Sequence, residues 1–266
     1  MKRLLFNFII IALTSVSSYA GDFLELHFLD VGEGNSTLLR HHGDSALIDV
    51  GPPQASKKIL SNLEKLNSKR IKYLILTHPH LDHIGAALPL LPMLPVDHLY
   101  DNGQPISLEE QKENDIYRWY QEFIRTDSRY KPLLSPSTLK LGDASLQVLN
   151  PHNYQEDWNT NSLVFLVKYG KFSSLLMADG NLATEQAIIR SYKLDQIAIL
   201  QAGHHGSDQT LSTEFLETIQ PSAVIISINK DNIRGYPSPI SLKKLEGSGA
   251  SIYKTYTDGD ILITAS

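Results

Sequence analysis

The densest chemistry in this sequence lies in Thr77-His78-Pro79-His80-Leu81-Asp82-His83. His78, His80, Asp82 and His83 place four metal-competent side chains within six residues. Imidazole and carboxylate are the ligands that zinc, iron and manganese accept where thiolate is absent. The chain has no cysteine, which excludes thiolate metal sites, thiol nucleophiles and disulfides. In an irregular turn, His78 and His80 can converge on one ion while Asp82 and His83 face a second. The alternative is a plain helix N-terminus, with Asp82 as its cap and the histidines on the surface.

Two further segments end apolar runs in the same chemistry. Leu175-Leu176-Met177-Ala178 leads into Asp179-Gly180. A carboxylate there can bridge two cations through its two oxygens, or cap a helix that begins at Leu182. Leu200-Gln201-Ala202 leads into Gly203-His204-His205-Gly206-Ser207. The flanking glycines allow close approach of backbone to an ion or phosphate. A buried core histidine is the competing reading.

These segments need strands to deliver them. Loose alternation predicts strands over 23–30, 37–41 and 46–49, the last two joined at Gly43-Asp44. Helical spacing of Ile59, Leu60, Leu63 and Leu66 predicts a helix over 56–66. A continuous apolar strand over 71–77 runs into the His-rich segment. A helix over 83–91 is stopped by Pro92 and Pro95, and a short strand follows over 97–100. A helix spans 107–125, with Ser107 and Glu110 as a capping box. Strands over 146–149, 163–169 and 172–178 follow, the last two joined at Gly170-Lys171. Helices over 182–192, 212–219 and 238–245 alternate with strands over 197–201 and 223–228. Two final strands flank Asp258-Gly259. Hairpins first and alternation later, in each half, suit two sheets packed face to face with helices outside.

The chain has 266 residues, 42% hydrophobic and 20% charged. That supports one domain with a buried core and excludes disordered and collagen-like classes. The formal net charge is −5 and no basic tract is present, so tight non-specific DNA binding is not expected. Lys2-Arg3, the apolar run Leu4 to Val16 and Ser18-Tyr19-Ala20 form the pattern of a secretory signal cut after Ala20. The expected organisation is a signal peptide over 1–20 and one domain over 21–266. The mature chain is then periplasmic or secreted and has no membrane span. A retained N-terminal anchor is the alternative.

The motifs as a set resemble the metallo-β-lactamase fold, and within it the catalytic domain of ComEC-type competence proteins and the phosphorylcholine-esterase branch. The resemblance rests on Phe28-Leu29-Asp30-Val31-Gly32-Glu33-Gly34-Asn35, on His78 to His83, on Asn161-Ser162-Leu163-Val164 and on Gly203 to Ser207. It implies an α/β fold, a four-layer αββα sandwich, with the site at one edge of the two sheets. It implies two divalent metal ions, Zn²⁺ or Mn²⁺. His78 and His80 would hold one. Asp82, His83 and His204 would hold the other, with His205 as second choice for that place, and Asp179 would bridge. Asp49 would orient the histidine loop without binding metal.

Many members of the fold have a third histidine where this chain has Asn159-Thr160-Asn161-Ser162. Asn161 would then be a weak oxygen ligand or a loop organiser, and the nearby His152 is poorly spaced to replace it. Gly235-Tyr236-Pro237 stands where the branch often carries Gly-His-Pro, which makes Tyr236 a candidate oxyanion donor.

The implied chemistry is hydrolysis by a metal-bridged hydroxide, with Asp82 positioning the attacking water. The substrate would be a small-molecule or nucleic-acid phosphodiester. A non-catalytic, metal-stabilised binding module and a lactone or β-lactam hydrolase are the alternatives. Arg118, Arg125, Arg129 and Lys131 offer a local basic patch, or a solvated helix face. Tyr117, Trp119, Tyr120 and Phe123 beside them offer a base-stacking platform, or core packing.

Overall fold

The computed structural model describes residues 22–105 and 115–266. The expected signal segment, and the start of the 107–125 helix with its capping pair, lie outside the described residues.

The described strands form two seven-stranded sheets. The first contains β1 (Leu24–Phe28), β2 (Thr37–His41), β3 (Asp44–Ile48), β4 (Ile71–Leu76), β5 (Val96–Asp101) and β6 (Tyr130–Pro132), with β14 (Ile261–Ala265) paired to β1. The second runs in the order β13 (Ser251–Lys254), β12 (Ala223–Ile226), β11 (Ile199–Gln201), β10 (Phe172–Leu176), β9 (Val164–Tyr169), β8 (Ala144–Asn150) and β7 (Ser137–Leu141). Each sheet is antiparallel over one side, where hairpins build it, and parallel over the other, where helical connections return the chain.

Helices cover both outer faces. Helix α1 (Ser56–Lys65), the short α2 (Leu81–Ile84) and α3 (Ala87–Leu90), and α4 (Asp115–Ile124) lie on the first sheet. Helices α5 (Leu182–Ser191), α6 (Thr213–Ile219) and α7 (Pro239–Ser248) lie on the second. Three apolar layers hold this stack. Leu26, Phe28, Ile75, Phe165 and Ile225 fill the space between the sheets. Ile59 and Leu63 of α1 and Tyr120 of α4 pack against Leu47 and Leu74. Ile188, Phe215 and Leu245 pack against Leu175, Leu200 and Val224. The result is a four-layer αββα sandwich.

The structure differs from the sequence expectation at four places. The 83–91 segment is two short helices, because Ile84 to Ala86 bends away between them while Val50 N–H bonds the His83 carbonyl. Strands β6 and β7 were not expected. The first is three residues long, half exposed, and ends in Pro132; the second alternates exposed and half-buried residues at a sheet edge. The last two strands flank Asp258-Gly259 as expected, but an unexpected short helix lies between them. Helix α8 (Thr255–Asp258) carries the chain from β13 in one sheet to β14 in the other.

Candidate metal centre

Parallel strands deliver their C-terminal ends to one edge of the sandwich, where α/β sheets present ligands. Asp49 follows β3, Thr77 to His83 follow β4, Asp179 follows β10, and His204 and His205 follow β11. The strand ends are tied together there: Asp49 N–H donates to the Ile75 carbonyl at 2.8 Å and His204 N–H to the Ala178 carbonyl at 2.9 Å.

The side chains gather into two groups that could hold metal ions and that share Asp179. One group is Asp82, His83, Asp179 and His205; the other is His78, His80 and Asp179. Asp179 Oδ1 lies 3.1 Å from His83 Nε2 and 3.4 Å from His205 Nε2. Its Oδ2 lies 3.6 Å from His78 Nε2 and 3.8 Å from His204 Nε2. His205 Nε2 is also 3.3 Å from Asp82 Oδ2. These separations match the spacing of donor atoms around a tetrahedral ion, about 3.3 Å for bonds of ~2.0 Å.

Hydrogen bonding within the chain points the same way. Both Asp179 oxygens, His83 Nε2 and His205 Nε2 are buried and make no hydrogen bond. Buried polar atoms are normally paired, so four such atoms facing one another fit a cation between them. Their other ends are fixed. His83 Nδ1 meets Asp49 Oδ2 at 2.7 Å, and His205 Nδ1 meets the Ser227 carbonyl at 2.7 Å. Asp49 in turn accepts from Thr77 N–H at 2.8 Å and Thr77 Oγ1 at 2.9 Å.

The electrostatics show how strongly this pocket favours positive charge. Burial disfavours an ionised Asp179, yet His83 and His205 hold its carboxyl well below the ordinary carboxylate range. Burial likewise opposes an ionised Asp82, but the close His205 and His83 imidazoles hold it far below its usual value. Burial would lower His83, and the charges of Asp179 and Asp49 override it and raise that imidazole well above normal. His78 goes the other way: burial and the neighbouring His83 charge depress it. Neutral imidazole is the ligand form.

The structure places each member of the histidine pair differently from the sequence reading. His205, the second choice, stands with Asp82, His83 and Asp179; His204 faces the other oxygen of Asp179, on the His78 side. Both residues adopt left-handed backbone conformations, φ 42° and 54°. Successive left-handed residues send adjacent side chains to different sides, so order after the strand does not decide which one enters.

Asn161 is not available as a ligand. Its Oδ1 accepts from Gln155 N–H at 2.7 Å and its Nδ2 donates to the Gln155 carbonyl at 2.8 Å, which uses both ends of the amide to pin the preceding loop. Asp179 is not a helix cap either; Asn181 caps α5. His152 lies away from the centre, stacked on Tyr192. Tyr236 stands edge-on to His204 with ring centroids 5.4 Å apart.

Residues not expected from sequence complete the entrance. A cleft of about 460 Å³ is lined by Glu33, Gln54, His80, Asp82 and Arg234 among others. Arg234 Nη1 lies 3.4 Å from Asp82 Oδ2 and its Nε 3.8 Å from Glu33 Oε1. Its only sequence signal was its place next to Gly235-Tyr236-Pro237. Trp158 packs against His80, ring centroids 5.2 Å apart. Gly34 explains the glycine-rich turn after β1. It has φ 132°, and a Cβ there would sit 2.1 Å from the Asp82 carbonyl oxygen, so only glycine lets this loop brace the ligand turn.

Two members of the basic patch are ion-paired to acids. Arg118 pairs with Asp115 at 2.8 Å and Arg129 with Asp127. Tyr117 and Tyr120 are core residues, whereas Trp119 is half exposed.

Residues 29–112 match the family model described as the metallo-beta-lactamase superfamily. Recombination protein 2 of Haemophilus influenzae is 30% identical over 242 residues, which cover 88% of this chain and 28% of that protein. ComE operon protein 3 of Bacillus subtilis is 28% identical over 258 residues, 89% of this chain and 32% of that protein. The chain thus spans under a third of the length of either relative. Among solved structures, the metallo-beta-lactamase fold protein YhfI from Bacillus subtilis superposes with a TM-score of 0.56 at 13% identity, covering 87% of this chain and 96% of that one. CmlA, a diiron beta-hydroxylase from Streptomyces venezuelae, gives 0.54 at 15% identity, covering 91% of this chain and 54% of its own. Among the described residues, no helix is long and apolar enough to cross a membrane.

Proposed function

This chain has the metallo-β-lactamase fold, and from that premise we propose that it is an exported, dinuclear metal-dependent hydrolase that cleaves phosphodiester bonds. The observation that carries the reading is Asp179, whose two unpaired oxygens each face a separate set of imidazoles. Asp82, His83, His205 and Asp179 would hold one divalent cation, and His78, His80 and Asp179 the other. His204 is the remaining imidazole close to Asp179 Oδ2, and we assign it the third place on the His78/His80 side, where the fold more often supplies a histidine from the Asn161 loop. Zn²⁺ or Mn²⁺ bound there would supply Lewis acidity and a hydroxide nucleophile at neutral pH.

The chain's own residues do the rest. Asp49 and the Ser227 carbonyl fix which imidazole nitrogen of His83 and His205 faces inward. Asp82, at the mouth, accepts a hydrogen bond from the attacking water and sets its direction. Arg234 puts a cation at the entrance, which suits an anionic diester. Tyr236, beside His204, donates its hydroxyl to charge developing on the substrate.

The diester reading draws support from Arg234 and from the relative named as a recombination protein. The export reading rests on Lys2-Arg3, the apolar run and Ser18-Tyr19-Ala20. The test is a hydrolysis panel on the metal-loaded chain: bis-p-nitrophenyl phosphate, p-nitrophenyl phosphorylcholine, single-stranded DNA, a lactone and nitrocefin. Turnover of the phosphorus substrates supports the proposal. Turnover confined to the lactone or nitrocefin overturns the substrate class, and no turnover on any supports a binding module.

A further inference from the structure

We propose a second, separate metal site, formed by His41, His42 and Asp143 with Asp22 beside His42, at the end of the sandwich opposite the Asp179 centre, with specificity for a Zn²⁺-class cation. The placement follows from topology. Asp49 follows the C-terminal end of β3, whereas His41 and His42 lie at the β2–β3 turn that starts it. The strand between them is five residues long, about 16 Å at ~3.3 Å per residue. Asp143 lies in the β7–β8 turn of the other sheet, so the cluster joins the two sheets at their far edge.

The donor atoms already face each other. His41 Nε2, His42 Nε2 and a carboxylate oxygen of Asp143 lie within 4.8 Å of one another. His41 Nε2 is 3.9 Å and His42 Nε2 3.8 Å from Asp143 Oδ2, and His42 Nε2 is 3.5 Å from Asp22 Oδ1. Two imidazoles and one carboxylate supply three of the four ligands of a tetrahedral Zn²⁺ and leave the fourth place to water.

A second observation sets this group apart from an ordinary surface cluster. His41 is only 1% exposed, and its Nδ1 meets the Phe23 carbonyl at 3.0 Å. A carbonyl can only accept, so Nδ1 donates to it and Nε2 is the ring nitrogen left to face Asp143. That Nε2 is buried and has no hydrogen-bond partner. It faces the Asp143 carboxylate at 3.9 Å, too far for a hydrogen bond. A buried, unpaired ring nitrogen aimed at a carboxylate across that gap fits a cation between them, and a backbone carbonyl behind the outer nitrogen is the usual support of a ligand imidazole.

The neighbourhood is built around this ring. His42 and Gly43 have φ 49° and 82°, the two positive values of a tight hairpin turn, which turns His42 back beside His41 with centroids 4.1 Å apart. Gly142 comes so close to His41 that a Cβ would lie 2.4 Å from its Cδ2. Tyr169 packs edge-on to His41 and donates its hydroxyl to the Asp22 carbonyl at 2.8 Å. A cation here would clip the β7–β8 turn of the second sheet to the β2–β3 turn of the first.

The test uses tag-free full-length protein, wild type and the variants His42→Ala and Asp143→Asn. Both residues are on the surface, so neither change removes packing. Each protein is dialysed to equilibrium against micromolar Zn²⁺, bound metal is counted by elemental analysis, and thermal midpoints are read with and without Zn²⁺. The proposal expects each variant to bind one Zn²⁺ fewer than wild type, and its Zn²⁺-dependent rise in midpoint to shrink. Equal stoichiometry and equal midpoint shifts in all three proteins would overturn it. The count is independent of catalysis, so failure here leaves the Asp179 centre untouched.

Discussion

Asp49 Oδ2 lies 2.7 Å from His83 Nδ1, and this one contact decides that Nε2 is the nitrogen His83 turns toward Asp179. Both residues are fully buried, and Thr77 holds the far side of the Asp49 carboxylate. Asp49→Asn removes the charge and offers an NH₂ or a neutral oxygen in its place. We expect Zn²⁺ affinity at the Asp82/His83/His205 group to fall about 10- to 100-fold. Competition with a chelator of known affinity measures it, with circular dichroism as the check on folding. Unchanged affinity would contradict the orienting role.

The two histidines after β11 are expected to separate functionally. His205→Ala removes a ligand that faces both Asp82 and Asp179, and should lose one equivalent of metal and most of the activity. His204→Ala removes a largely buried ring on the His78 side, and should weaken the other ion while leaving the first in place. Metal titration of both variants reads this. A larger loss in His204→Ala would reverse the assignment.

Arg234 and Tyr236 should divide binding from chemistry. Arg234→Ala should raise KM for a phosphodiester about tenfold, with kcat changed less, since a charge-assisted hydrogen bond is worth ~1.5–3 kcal/mol and this side chain is partly solvated. Tyr236→Phe should lower kcat by on the order of a hundredfold if its hydroxyl serves an oxyanion. Steady-state kinetics separate the two. A KM unchanged in Arg234→Ala would remove it from substrate binding, and a kcat unchanged in Tyr236→Phe would discard the tyrosine role alone.

Processing after Ala20 should leave Gly21 at the N-terminus of the natively expressed protein. Mass spectrometry of fractionated cells reports it. An intact Met1 in the cytosol would contradict export.

Much of this architecture was legible because its signals are local. Ile71 to Leu76 is apolar apart from Lys72 since helices and the second sheet cover both its faces, and Gly170-Lys171 marks a hairpin whose two strands pair in register. The ligand turn was legible because its four metal-competent residues are contiguous. What was not legible depends on geometry across the fold. Asn161 looked like an oxygen donor until Gln155 was seen to use both ends of its amide. His204 and His205 are adjacent, and only their left-handed dihedrals decide which faces Asp82. Arg234 reaches Asp82 across 152 residues of sequence. Strand β7 was overlooked because at an exposed edge its alternation of Thr138, Leu139 and Lys140 carries little apolar signal.

The most direct test of the dinuclear reading is the hydrolysis rate of bis-p-nitrophenyl phosphate by the chelator-stripped chain, before and after reloading with Zn²⁺ or Mn²⁺, alongside Asp179→Asn. Activity should be absent from the stripped protein, return with metal in the wild type, and stay more than about a hundredfold lower in Asp179→Asn, because that change replaces an anionic bridge with a neutral amide. A rate that is the same with and without metal, or the same in Asp179→Asn as in wild type, would contradict the account.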